Sequence, residues 1–184
     1  MLTFSGKSVL DAAAVGKISV FKRNGITVKR EYTEDTEGEK KRFEQAKERS
    51  VSELDKIYRK ALREVGEANA QIFEIHRMMI ADIDYNDSVL NIIETQKVSA
   101  QYAIAATFDN FAEKFSLIDD PYMRAREADV RDISDRLIRN LTGEPRVSPP
   151  SDEKMIIFAD DLAPSETVSF DRDKVLAFVT ARGS

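Results

Sequence analysis

Short β-like runs stand at both ends of this 184-residue chain and bracket a long block of helical pattern, an order that constrains the fold more than any other feature. At the front, Leu2–Ser5 and Val15–Lys22 read as β-like pieces, and Asn24-Gly25 follows as a turn signal. At the back, the apolar runs Met155–Ala159 and Val175–Thr180 read as buried strands. The front pieces are expected to join a sheet with the strands that arrive after residue 150. The helical block is then an insertion in a small α/β unit whose remaining half is missing.

Between these ends the apolar positions change period. Thr33, Glu34, Asp35 and Thr36 offer capping side chains; Phe43, Ala46, Val51, Leu54, Ile57, Tyr58, Ala61, Leu62 and Val65 then recur mostly at helical spacings. They form one stripe on a helix of about 28 residues, roughly 40 Å long, which Gly66 breaks. A second helix carries Ile72, Phe73, His76, Met79 and Ile80 and ends near Asp82–Tyr85. Further helices are expected at Asn86–Glu94, Ser99–Phe115 and Pro121–Leu141. Pro121 behind Asp119-Asp120 is a strong start signal, and Gly143 closes the last helix. On that helix Met123, Ala128, Val130, Ile133, Leu137 and Leu141 are expected to face inward, with Arg124, Arg131, Asp132, Asp135 and Arg139 decorating the rest. Ser148-Pro149-Pro150-Ser151 reads as a linker. The chain thus divides into residues 1–32, 33–146 and 147–184, a mainly α fold with a small, split α/β part.

Composition narrows the function classes. The net charge of −5 disfavours nonspecific nucleic-acid binding and suits a basic protein partner. No apolar run approaches the roughly 18 residues that span a membrane, and no signal-peptide pattern opens the chain, so a cytoplasmic protein without membrane insertion is expected. The lack of cysteine removes disulfides and thiolate chemistry. With His76 the only histidine, the usual zinc sets cannot be built, and no metal site is expected. His76 sits mid-helix between apolar Phe73 and Ile80, which fits a satisfied structural imidazole rather than a phosphoacceptor. Phe108, Phe111 and Phe115 share a helical stripe and are expected in the bundle core. Ser165, in Pro164-Ser165-Glu166-Thr167, is placed to cap a short helix.

Three separated motifs, in order, carry a resemblance to a known family. The first is AQIFEIHRMMIADIDY at residues 70–85; the second, in YMRAREADVRDISDRLIRNLTG, rests on Tyr122, Arg126, Asp129, Arg131, Asp132, Arg136 and Gly143. The third is FADDLAPSETVSFDRDKVLAFVTARGS, which runs to Ser184. Together they resemble Enzyme I, the phosphoenolpyruvate-protein phosphotransferase of the bacterial sugar phosphotransferase system, over the stretch from about residue 40 to the end. Three departures stand out: Glu127 replaces the usual alanine, Ala68 replaces a second acid beside Glu67, and Leu10–Ala14 replaces the small turn residues of the family's N-terminal pattern.

The resemblance implies a helical bundle of four to five helices inserted into a partial, swivelling phosphohistidine α/β domain. It implies that phosphoryl passes from phosphoenolpyruvate to a histidine and on to HPr, the small histidine phosphocarrier. That histidine would fall about four residues beyond Ser184 by the family pattern, so this chain is expected to dock HPr and to catalyse nothing alone. HPr presents a basic, partly apolar face, so a docking helix should expose methionines ringed by carboxylates. Glu67, Glu74, Met78, Met79, Asp82, Asp84, Phe115 and Arg126 are the docking residues it implies, and Thr167 the residue that positions the missing imidazole. Phosphoenolpyruvate and Mg²⁺ belong, in the family, to a C-terminal barrel domain, so no cofactor is expected here. The alternatives are a nitrogen-regulatory or multiphosphoryl paralogue and, from another class, a non-catalytic helical adaptor.

Overall fold

A computed structural model describes residues 6–8, 11–22, 26–144 and 153–181. The expected pieces at Leu2–Ser5, Asn24-Gly25 and Ser148-Pro149-Pro150-Ser151 lie outside the described residues. In chain order the elements are β1 (Lys17–Phe21), α1 (Thr36–Glu64), α2 (Glu67–Ala81), α3 (Ile83–Gln96), α4 (Ala100–Ser116), α5 (Pro121–Thr142), β2 (Met155–Ala159), α6 (Pro164–Ser169) and β3 (Val175–Thr180). They group into two compact units: Met1–Lys22 with Ser148–Leu162 and Phe170–Ser184, and Arg23–Val147 with Ala163–Ser169.

In the helical unit α1, α3, α4 and α5 each begin on a side-chain cap, whereas α2 starts at Gly66 without one. Asp35 accepts from the Gly38 N–H ahead of α1, Ser99 from Tyr102 ahead of α4, and Asp120 from Tyr122 and Met123 ahead of α5. Asp82 accepts from the amides of Asp84 and Tyr85, which starts α3 at Ile83, three residues before the position expected from apolar spacing. Gly66 stands between α1 and α2 with φ 84° and ψ 171°, a region essentially reserved for glycine. The α1 stripe buries Phe43, Ala46, Ser50, Leu54 and Ala61; Leu62, expected in that stripe, is exposed because it lies one residue, about 100°, round from Ala61.

The fifth helix corrects its expected inner face. Val130, Ile133, Leu137 and Leu141 are buried, but so are Asp129, Asp132 and Arg136, whereas Met123 and Ala128 are exposed. Polar partners explain Asp132 and Arg136: Arg136 Nη1 donates to the partly exposed Glu53 of α1 at 2.8 Å, and the buried Ser165 donates to Asp132. The same contact explains why residues 163–169, expected on the α/β side, fall in the helical unit. Residues 26–32 join it as well, with Ile26 and Val28 packed on its core.

Tyr85 of α3 stacks on Phe108 at 5.0 Å between ring centroids and lies 4.0 Å from Phe111. Burial first, and the Asp82 carboxylate second, push its hydroxyl up to about 12 from the ordinary 10.0. The folded chain therefore keeps a proton that the unfolded chain releases near pH 10. The stability this contributes is complete below that pH and is lost as pH rises through the folded value. Thermal unfolding is expected to shift down between pH 10 and 12 by less in Tyr85→Phe than in the parent. Identical slopes in the two proteins would contradict this.

The second unit is a parallel sheet in the order β1-β2-β3, with Lys17 opposite Met155 and Ile157 opposite Phe178. Parallel pairing needs crossover connections. The helical block supplies the first, between β1 and β2, and the segment containing α6 supplies the second. One face buries Phe21, Met155 and Ile157 with Leu162 and Phe170, and Phe21 meets Phe170 edge to face at 5.6 Å. The architecture is mainly helical, with the helices inserted in a small α/β unit.

Candidate docking face

The short connections of the helical unit bring four helix termini to one end. The C-terminus of α2 runs straight into the start of α3, and the end of α4 leads directly to the start of α5. Tyr85 against Phe111 joins the α3 and α4 ends, and His76 against Asp129 joins α2 to the first half of α5. At this end the surface is apolar: Met78 is 65 %, Ile83 72 %, Leu117 78 % and Tyr122 65 % exposed.

The second helix presents a stripe leading to that end. Glu67, Glu74 and Met78 are separated by seven and four residues, so they share one side of the helix. The opposite side is buried through Ala70, Phe73, His76 and Ile80. Glu67 is exposed, whereas Glu74 is half-buried and pairs with Arg77, which also reaches Asp55 at 3.3 Å. Hydrogen bonding to Glu74, with the ionic attraction of Glu74 and Asp55, raises the Arg77 guanidinium above its usual range, so Glu74 presents a neutralised pair rather than a free acid.

The other residues named from the sequence take different places. Met79 is half-buried and packs on the core, about 100° from Met78. Asp82 and Asp84 are exposed at the head of α3, where Asp82 also serves as cap. Phe115 is half-buried against the core near the apolar end. Arg126 is half-buried; its Nη1 lies 2.7 Å from Asp129 and its guanidinium stacks over Tyr122 at 4.8 Å. Ile83 and Leu117 escaped the sequence reading. Two capped helix starts in tandem, at Asp82 and Asp120, were the available signal, because residues beside a helix junction have little core to enter.

Behind this face lies a buried polar cluster. His76 is fully buried, with Nε2 3.3 Å from Asp129 and Nδ1 3.7 Å from Asp132. Asp132 accepts the Ser165 hydroxyl, which lies 3.1 and 2.9 Å from its two oxygens. Ser165 therefore does not cap α6. Glu166 does so, its carboxylate accepting from the Ala163 N–H at 2.7 Å. His76 is buried as a structural imidazole would be, but it is not the satisfied one expected. Neither ring nitrogen makes a hydrogen bond among the described residues, and the groups nearest them are carboxylates that the sequence reading assigned to other roles. Thr167 donates its hydroxyl to the Pro164 carbonyl at 2.8 Å, which leaves its oxygen lone pairs as acceptors.

Among the described residues, no group of three or more His, Cys, Asp or Glu is placed to hold a metal ion, and no helix is long and apolar enough to cross a membrane.

Known proteins match this fold and sequence closely. The chain is 32% identical over 179 residues to the phosphoenolpyruvate-protein phosphotransferase of Mycoplasma capricolum, covering 97% of this chain and 31% of that protein. It is 35% identical over 171 residues to the protein of the same name from Bacillus subtilis, covering 92% of this chain and 30% of that one. It therefore spans about a third of the length of these relatives. The solution structure of an Enzyme I protein superposes with a TM-score of 0.75 at 33% identity, covering 90% of this chain and 68% of that one. The N-terminal domain of a nitrogen-type Enzyme 1 shares the fold, with a TM-score of 0.68 at 20% identity over 92% of this chain and 70% of its own. The family described as PEP-utilising enzyme, N-terminal, matches residues 5–126, and this chain belongs to it.

Proposed function

We propose that the helical unit is a docking domain for HPr, and that the chain is the front part of a cytoplasmic phosphoenolpyruvate-protein phosphotransferase. The observation that carries this reading is the α2 stripe of Glu67 and Met78 running into an exposed apolar end formed by Ile83, Leu117 and Tyr122. An exposed apolar cluster edged by carboxylates suits a partner whose own face is basic and partly apolar. Met78 adapts its shape at little cost, Tyr122 brings a rigid aromatic surface, and Asp84 and Glu67 speed encounter.

The reaction in this reading is two in-line transfers: from phosphoenolpyruvate to an imidazole nitrogen, then from that nitrogen to the imidazole of HPr. Thr167 supports the first acceptor's orientation. Because its hydroxyl donates to Pro164, it accepts a ring N–H, and the opposite nitrogen keeps the lone pair that attacks phosphorus. Phosphoenolpyruvate and Mg²⁺ are assigned to a further domain of the full-length protein.

Calorimetric titration with HPr tests the surface. Met78→Ala is expected to weaken binding about tenfold or more, as for a central exposed anchor. Glu67→Lys is expected to slow association and to flatten its salt dependence. Parent-like binding by both variants would place docking elsewhere.

A further inference from the structure

We propose that Ser165 and Asp132 are positioning residues for Thr167, and that His76 couples them to the docking helix α2. The inference rests on the docking reading for its purpose, but the coupling itself is a property of this chain.

The sixth helix has only six residues, too few to hold itself together through its own hydrogen bonds. Within the helical unit it is held by Val168, which packs on the core, and by the Ser165 hydroxyl shared between both oxygens of Asp132. Ser165 is fully buried, so no water replaces that bond when it breaks. Thr167 lies two residues further on, and its hydroxyl is already oriented by Pro164. Where Ser165 sits therefore decides where the Thr167 oxygen sits.

Asp132 faces a second claimant. His76 Nδ1 lies 3.7 Å from the Asp132 Oδ2 that Ser165 holds at 2.9 Å. That separation exceeds a hydrogen bond by less than 1 Å, so a small shift of α2 toward α5 brings the imidazole into bonding range. The groups facing His76 are Asp129 and Asp132 of α5, the ring of Phe73 on its own helix, and, through Asp129, Arg126. His76 lies midway between Glu74 and Met78 on α2, on the opposite side from their stripe. A partner that presses on that stripe moves His76 against Asp132, and Asp132 redistributes its oxygens between His76 and Ser165. Buried polar groups do not tolerate lost partners, so the adjustment is passed to α6 rather than absorbed by solvent.

The test uses this chain alone, whose single histidine gives one unambiguous imidazole signal set in NMR spectra. In Ser165→Ala, the His76 ring nitrogens are expected to shift, and amide exchange at Glu166–Ser169 to accelerate about tenfold, while α1 and α3 amides stay in place. Asp132→Asn separates the two links: its side-chain carbonyl still accepts the Ser165 hydroxyl, so α6 exchange stays near the parent's, while the His76 ring shifts. In His76→Gln, the Thr167 amide is expected to move. Faster α6 exchange with an unmoved His76 ring in Ser165→Ala would reduce Ser165 to a local anchor and overturn the proposal. An unmoved ring in Asp132→Asn would overturn it as well. HPr binding is scored separately, so the carrier can fail to bind while the coupling stands, or bind while the coupling fails.

Discussion

Replacing Glu53 with alanine is expected to destabilise the protein by about 3 kcal/mol, more than replacing its partner Arg136 with methionine. Arg136 is 1 % exposed, and Glu53 accepts from its Nη1 at 2.8 Å; Nε and Nη2 find no hydrogen-bond partner among the described residues. A guanidinium cannot shed its proton at any ordinary pH. Removing Glu53 therefore leaves an intact charge in the core with its nearest counter-charge gone. Glu53 itself is partly exposed, which lets some water reach the site and keeps the loss at the lower end of the range for broken buried pairs. Arg136→Met removes the charge together with its need for a partner, fills similar space, and is expected to cost about 1 kcal/mol or less. Urea unfolding of the two variants checks the order. If Arg136→Met is the more damaging, the uncompensated-charge account fails, because both variants remove the pair and only Glu53→Ala leaves a charge behind.

Gly66→Ala is the second large effect, expected to cost about 2 kcal/mol. The site has open space, since a Cβ would meet nothing within 4 Å, so the loss is wholly one of backbone conformation at φ 84° and ψ 171°. Gly143 provides the control. Its φ of 75° and ψ of 13° place it in the left-handed region that asparagine also visits, so Gly143→Asn should lose less. Because Gly66 sets the direction in which α2 leaves α1, a surviving Gly66→Ala protein should also dock less well. A loss below about 0.5 kcal/mol would show that the junction relaxes around the new side chain.

The elements that were legible in the sequence are those with local causes. The break at Gly66, the start at Pro121 and the stop at Gly143 each depend on one residue's own backbone chemistry. The runs Met155–Ala159 and Val175–Thr180 coincide in extent with β2 and β3, but Val175–Thr180 is a largely exposed strand and not the buried one expected, because β3 stands at the edge of the three described strands. What stayed hidden depends on partners far away in the chain. Nothing near Asp132 shows that it is buried; its partners Ser165 and His76 come from other elements. Ser165 looked like a cap because the cap residue and its helix are local, whereas its true acceptor is not. Met123 fitted the apolar period of α5 but sits in the first turn, where the helix has not yet reached the core.

The proposed docking surface was partly legible for the same reason. Glu67, Glu74 and Met78 share a helix face by spacing alone, whereas Ile83 and Leu117 join them only because the short connections gather four helix termini at one end. The pairing of Glu74 with Arg77 and the inward turn of Arg126 toward Asp129 are tertiary or rotamer choices that spacing does not decide.

The central claim is that this end of the helical unit receives HPr. Its most direct test is a heteronuclear NMR titration of the chain with HPr at low and moderate salt. The account predicts shifts at Glu67, Met78, Ile83, Asp84, Leu117 and Tyr122 that weaken as salt rises. Binding that leaves these residues silent, or no perturbation of a folded chain, would contradict it.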